Sequence, residues 1–341
     1  MRKPLEIVLQ SLQHERPERL PVIPLVGLCS STISGYSVVE LLKDSHKQAR
    51  SQIAALRRFV YDGVFTCMDL TAEAEALGAH TLIQNKAFPY VTKHPYREPD
   101  ALSELELPPI KTSRLSVFVE ATRELVQEVG RTHLVSSYVV GPFTLAGQLM
   151  GAEALLELTA EHPEQAAFAC ERCEQILEPY VEELIEQGPH NIVILEPTAS
   201  SSVISPQAFA KFSSPSLKKL VTLIRSKAAR ATLHICGKTT KIIDAMCDTG
   251  ADALSLDAVV SLDVAYGMIR SRCTLIGNVD TTTMMTGSMQ DVASAAEKCI
   301  NSVGGVVAGY ILSTGCDLPI ETPPDNVRTL VETGKKKAGS R

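Results

Sequence analysis

Short apolar runs alternate with longer helical stretches along the whole chain, and this alternation limits the fold more than any other feature. The runs fall at residues 20–27, 63–67, 132–140, 191–195, 231–236, 252–257, 274–278 and 306–312. Runs this short, rich in Val, Ile and Leu, read as strands buried on both faces, as in a parallel sheet covered by helices. Helical spacing between them predicts helices over residues 37–61, 206–230, 241–249, 262–271 and 291–302, two more across 143–187, and a last one from about 324. At Ser205-Pro206 a serine cap precedes a proline in the first helical turn, a favoured helix start. Residues 80–94 alternate around Asn85-Lys86-Ala87 and predict an inserted hairpin. Strand alternating with helix eight times predicts α/β architecture: a single (β/α)8 TIM barrel over residues 1–341, with an N-terminal helical extension.

Composition excludes several function classes. The chain has 341 residues, 45% of them hydrophobic and 21% charged, enough for one large core. Its net charge of −6 gives no electrostatic basis for binding nucleic acid. No run approaches the roughly 18 apolar residues of a membrane span, and the first residues carry no apolar signal core. Nine cysteines without a framework spacing point to reduced thiols in a cytoplasmic protein. The sequence has no Gly-, Ser- or Pro-rich linker, no internal repeat and no low-complexity block.

A barrel of this kind carries its active site at the C-terminal ends of the strands. Glu196, His234, Cys236, Asp257, Asn278 and Cys316 all fall at or just beyond such ends. Residues two apart on a strand share a face, so His234 and Cys236 present an imidazole beside a sulfur. With Cys316 they make a donor set suited to Zn²⁺, and three protein ligands leave the open position of a catalytic metal. The alternative is that the cysteines are small buried hydrophobes. Cys170 and Cys173 form a C-x-x-C inside a helix and read as packing residues, as do Cys247, Cys273 and Cys299. Asp69, Glu73 and Glu75 either line the mouth or cap a helix. Glu196 either lines the pocket, holds a metal ligand or is solvated. His80, His94 and His133 read as structural, and residues 335–337 as an exposed tail.

The stretches His234-Ile-Cys-Gly-Lys-Thr239, Leu275-Ile-Gly-Asn-Val-Asp280 and Ser313-Thr-Gly-Cys-Asp-Leu-Pro319 resemble the uroporphyrinogen decarboxylase superfamily. So do Arg16-Pro-Glu-Arg-Leu-Pro-Val22, Val140-Gly-Pro-Phe-Thr-Leu-Ala146 and Leu195-Glu-Pro-Thr-Ala199, and the likeness runs over nearly the whole chain. The H-x-C with a distant Cys is similar to the methylcobamide:coenzyme M methyltransferases. That resemblance implies a methyltransferase with one zinc held by His234, Cys236 and Cys316, and Asp257 within reach as a fourth, exchangeable ligand. Glu196 and Asn278 are expected on the cofactor-binding face. A small thiol such as coenzyme M is the implied acceptor, and a methyl-Co(III) corrinoid on a separate protein the implied donor. Three alternatives stand beside it: a corrinoid-dependent demethylase or methyltransferase using an O-, N- or S-methyl compound or tetrahydrofolate, a uroporphyrinogen decarboxylase, and a non-catalytic corrinoid-protein partner with a structural zinc. The decarboxylase reading is weakened because residues 25–35, where those enzymes carry arginines to grip porphyrin carboxylates, contain none.

Overall fold

The computed structural model describes residues 2–336. Seven parallel strands follow one another around a curved sheet: β1 (Gly63–Phe65), β4 (Leu134–Val140), β5 (Asn191–Leu195), β6 (Arg230–Ile235), β7 (Ala253–Leu256), β8 (Thr274–Val279) and β9 (Tyr310–Thr314). The hairpin is present as β2 (His80–Gln84) paired with β3 (Ala87–Lys93) outside that sheet.

The eighth barrel position is filled by much less than the strand expected at residues 20–27. Leu312 of β9 donates its N–H to Pro21 O (3.0 Å) and accepts from Ile23 N (2.9 Å). On the other side Asp62, just before β1, donates to Val22 O at 2.9 Å. This single parallel bridge, Val22 to Leu312, closes the ring between β9 and β1. The physical reason lies in the prolines: Pro21 and Pro24 have no N–H, so only a two-residue window can pair. Beyond it the chain turns into Gly27–Ser30 and the short helix Ser31–Ser34.

Several other elements differ from the sequence expectation. Three helices, not two, fill 142–186, because Gly151 and His162-Pro163 interrupt the run. The 37–61 stretch splits into Val38–Leu41 and Ser45–Phe59, with Asp44 capping the second through Lys47 N. Leu115–Val129 and Thr281–Thr286 are helices that the sequence pattern left unassigned. The last strand lies later than 306–312, because Gly304, Gly305 and Gly309 all take positive φ and hold the preceding segment as a loop. That shift places Cys316 two residues past the strand end.

Two apolar layers hold the barrel. The outer one packs helices against the sheet. The inner one gathers Ile23, Leu25, Phe65, Leu134, Tyr138, Val193 and Ile311, with the Phe65 and Tyr138 rings stacked at 5.4 Å. The N-terminal helix, Pro4–Leu12, adds Val8 and Leu12 to this inner layer and so plugs the N-terminal end of the barrel. Thr274 Oγ1 donates to Ser11 O, fixing the plug to β8. The opposite end stays open.

The closure rests on Asp62, whose side chain is fully buried. It accepts two bonds from Arg19 (2.7 and 2.8 Å), one from Val22 N (2.8 Å) and an ion pair from Lys335 at 3.1 Å. Lys335, the last residue of helix Pro324–Lys335, is therefore not part of an exposed tail; Lys337 lies outside the described residues. Replacing Asp62 by Ala strands two cations and an amide. The expected loss is about 3 kcal/mol in denaturant unfolding, the scale for breaking a buried charge pair.

Glu73 gives a second stability test. It is buried, accepts Val140 N with one oxygen at 2.8 Å, and leaves the other without a partner. Burial pushes its carboxyl from 4.5 up to about 7. Between those values the folded chain keeps a proton that the unfolded chain releases, so stability is fullest below pH 4.5 and falls as pH rises through 7. Glu73→Gln keeps the acceptor without the buried charge. It should flatten that slope and raise stability at pH 8 by on the order of 2 kcal/mol, measured by urea melts at pH 5 and pH 8.

Candidate metal centre

His234 lies near the end of β6 and Cys236 just beyond it, while Cys316 follows β9 across the open end of the barrel. His234 Nε2 lies 3.0 Å from Cys236 Sγ, the two sulfurs are 3.3 Å apart, and Cys316 Sγ is 3.7 Å from His234 Nε2. Among the described residues this is the one group of three or more His, Cys, Asp or Glu side chains whose ligand atoms converge within 4.8 Å. Tetrahedral zinc with bonds of about 2.3 Å to sulfur and 2.0 Å to nitrogen sets its ligand atoms roughly 3.5–3.8 Å apart. The spacing here is close to that, and the sulfurs are far from disulfide distance. The donor set fits the metal.

Electrostatics within the cluster say the same. The two thiols oppose each other: hydrogen bonding with Cys236 and with His234 holds Cys316 well below the usual thiol range, and Cys236 is held above it by Cys316. A divalent cation binds cysteine as thiolate, so a pair with one thiol of lowered pKa suits one.

Sequence reasoning missed the partner that orients the histidine. Ser255 of β7 stands in register with His234, and its Oγ lies 2.9 Å from His234 Nδ1. That contact occupies Nδ1 and leaves Nε2 for the metal. The signal was a polar residue inside an otherwise apolar strand at the matching register.

The other proposed site residues take different places. Asp257 is not in the converging group. Its carboxylate accepts Gly237 N (2.8 Å) and Val259 N (3.1 Å), which braces the turn after Cys236. Asn278 donates to the carbonyls of Asp257 and Val260 and so holds that same loop. Glu196 is fully buried and matches neither the pocket nor the solvated-loop expectation. It accepts the N–H groups of Phe143 (3.1 Å) and Thr144 (2.6 Å) and the hydroxyls of Thr144 and Ser213, capping helix Pro142–Met150. Burial lifts its carboxyl to about 7 despite those donors. Asp69 and Glu75 are spent on the buried Arg114. Cys170 and Cys173 are fully buried in helix Pro163–Glu186.

A cavity of about 170 Å³ opens over His234, Cys236 and Cys316. Its other walls are Met68, Leu70, Leu195 and Pro197, Phe88 and Pro89 from the hairpin, and Asp317. Asp317 was given no role by the sequence pattern, although an acidic residue directly after a ligand cysteine was visible. Its carboxyl is buried, and burial followed by the charge of Cys316 pushes it well above the ordinary carboxylate range.

Fold and site together define a (β/α)8 barrel with a converging His-Cys-Cys cluster at its C-terminal mouth. The chain belongs to the uroporphyrinogen decarboxylase (URO-D) family, whose model matches residues 3–337. It is 28% identical over 340 residues to the methylcobamide:CoM methyltransferase MtbA of Methanosarcina mazei, covering 97% of each chain. It is 26% identical over 341 residues to the methylcobamide:CoM methyltransferase MtaA of Methanosarcina barkeri, covering 95% of each. A solved methyltransferase from Methanosarcina mazei superposes with a TM-score of 0.90 at 24% identity, covering 98% of this chain and 99% of the other. No helix among the described residues is long and apolar enough to cross a membrane.

Ser255→Ala should leave the fold intact and weaken zinc binding by about tenfold or more, the usual effect of losing the partner of a ligating histidine. Competition with a chromophoric chelator measures it, and unchanged affinity would show that Ser255 does not orient His234.

Proposed function

We propose that this protein is a cytoplasmic, zinc-dependent methyltransferase that moves a methyl group from a methyl-Co(III) corrinoid, carried on a separate protein, to a small thiol such as coenzyme M. The convergence of His234, Cys236 and Cys316 under an apolar cavity carries this reading. The relatives named as methylcobamide:CoM methyltransferases support the donor and the thiol class. These three side chains would hold a Zn²⁺ ion, which would supply a Lewis acid able to keep an acceptor sulfur as thiolate at neutral pH, where a free thiol is mostly protonated.

The chain's own residues do the rest. Ser255 sets the ring of His234, while Asp257 and Asn278 hold the turn that presents Cys236. Met68, Leu70, Phe88 and Pro89 keep water from the reacting sulfur, which stays more nucleophilic when poorly solvated. In the transfer the acceptor sulfur forms the new C–S bond as the Co–C bond breaks. The bonding pair leaves with cobalt, Co(III) becoming Co(I), and the thiol proton goes to solvent. No base is needed to expel this leaving group, so the work of the protein is positioning. Porphyrin decarboxylation fits less well, since none of the residues lining the cavity is Arg or Lys.

Cys236→Ala and Cys316→Ala should each lose zinc and methyl transfer while keeping the circular dichroism and melting behaviour of the wild type, because the ligands sit at the open end and not in the core. Metal analysis and the appearance of Co(I) absorbance from methylcob(III)alamin plus thiol provide the readouts. Zinc well below one equivalent in the wild type, or transfer unaffected by either substitution, would remove this reading.

A further inference from the structure

Cys247 and Cys273 are nucleophilic groups that the proposed reaction leaves unused. Cys247 lies near the end of helix Ile243–Asp248 and Cys273 just ahead of β8. Both therefore sit at the N-terminal end of the barrel strands, away from His234, Cys236 and Cys316. Their sulfurs are 3.5 Å apart. A disulfide bond is about 2.05 Å long, so closing it takes an approach of about 1.5 Å, within reach of side-chain rotation.

The two segments are already clamped together. Arg272, next to Cys273, donates to Asp248 at 3.3 Å and to Asp244, both on the helix that carries Cys247. Gly250 N donates to Cys247 O at 3.0 Å, and Thr274 N to Asp252 O at 2.9 Å, which fixes the backbone on either side of the sulfur pair.

The two thiols are not equivalent. Cys247 is 8% exposed and Cys273 1%. Hydrogen bonding with Cys273 holds the Cys247 thiol below its ordinary range; burial opposes this, the charge of Arg272 adds to the lowering, and Asp244 and Asp248 work against it. Cys273 is held above that range by the same contact and by burial. Cys67 and Cys173, by contrast, are fully buried, and burial pushes both thiols up. A thiol that reaches the surface, lies beside a cation and touches a second thiol has the features of an oxidisable cysteine with its resolving partner. A cysteine that only fills space needs none of them.

We propose that Cys247 and Cys273 form a reversible disulfide, an oxidation site at the base of the barrel whose oxidant is a hydroperoxide. Cys247 attacks as thiolate: its sulfur bonds to one peroxide oxygen, the O–O bond breaks and hydroxide leaves. The sulfur of Cys273 then attacks that of Cys247. The S–S bond forms, the S–O bond breaks, and the hydroxyl leaves as water with the proton of Cys273. In sum, two thiols and hydrogen peroxide give one disulfide and two waters, and a dithiol reductant reverses the change. The bond closes a loop over residues 247–273 that contains β7, and restricting that loop in the unfolded chain favours the folded one. This chemistry is independent of methyl transfer.

The test treats the folded full chain with hydrogen peroxide near neutral pH, blocks the remaining thiols with iodoacetamide and maps the tryptic peptides. Cleavage after Lys241, Arg270, Arg272 and Lys298 puts Cys247 in peptide 242–270 and Cys273 in peptide 273–298, each without another cysteine. These two peptides should appear linked and should separate on treatment with dithiothreitol. The melting midpoint of the oxidised chain should rise by on the order of 5 °C. Cys273→Ser should leave a sulfenic acid on Cys247 that dimedone traps, whereas Cys247→Ser should leave Cys273 unlabelled. Cys247 and Cys273 both still free at peroxide doses that oxidise other cysteines of the chain, or a Cys273→Ser variant with no label on Cys247, would overturn the assignment. The wild-type peptide map decides by itself should either variant fail to fold.

Discussion

Closure of the ring at Asp62 is the interaction on which the rest of the structure depends. A barrel needs eight positions filled, and this chain has only a two-residue segment for the eighth, since prolines flank the single bridge between Val22 and Leu312. Asp62 makes up the deficit with side-chain bonds to Val22 N, Arg19 and Lys335, joining the start of the chain to β1 and to the last helix. β9 is one edge of the seam, and Cys316 comes directly from its end. The position of Cys316 is thus tied to a buried ion cluster at the opposite end of the barrel wall.

Parallel strands deliver the site because their C-terminal ends all point one way. Register does the finer work. His234 and Ser255 face each other across β6 and β7, so the imidazole is oriented by a neighbour fixed by the sheet's hydrogen bonding and not by a flexible loop. The turn after Cys236 is braced in the same manner by Asp257, which Asn278 in turn holds through its backbone carbonyl. Each of these residues spends its polar atoms on geometry, and the walls of the cavity above the His-Cys-Cys cluster are mostly apolar.

The sequence by itself determined the fold class and the pairing of His234 with Cys236 on one strand face. Alternating buried runs and helical periods require a parallel α/β arrangement, and a period-two placement puts His234 and Cys236 on one face whatever the surroundings. These are local properties, written in spacing. Tertiary structure alone decided the rest. The 20–27 run looked like a full strand because its side chains are apolar, but pairing depends on N–H groups that prolines lack. Glu196 looked like a pocket residue because it ends a strand, but its carboxylate is drawn to the amides at the start of helix Pro142–Met150, a partner set by packing between distant segments. Asp317 carried no visible role because its carboxyl is buried against Gly27, a neighbour that only the closed barrel brings beside it. Burial and the absence of partners are properties of the assembled barrel, and no spacing in the chain encodes them.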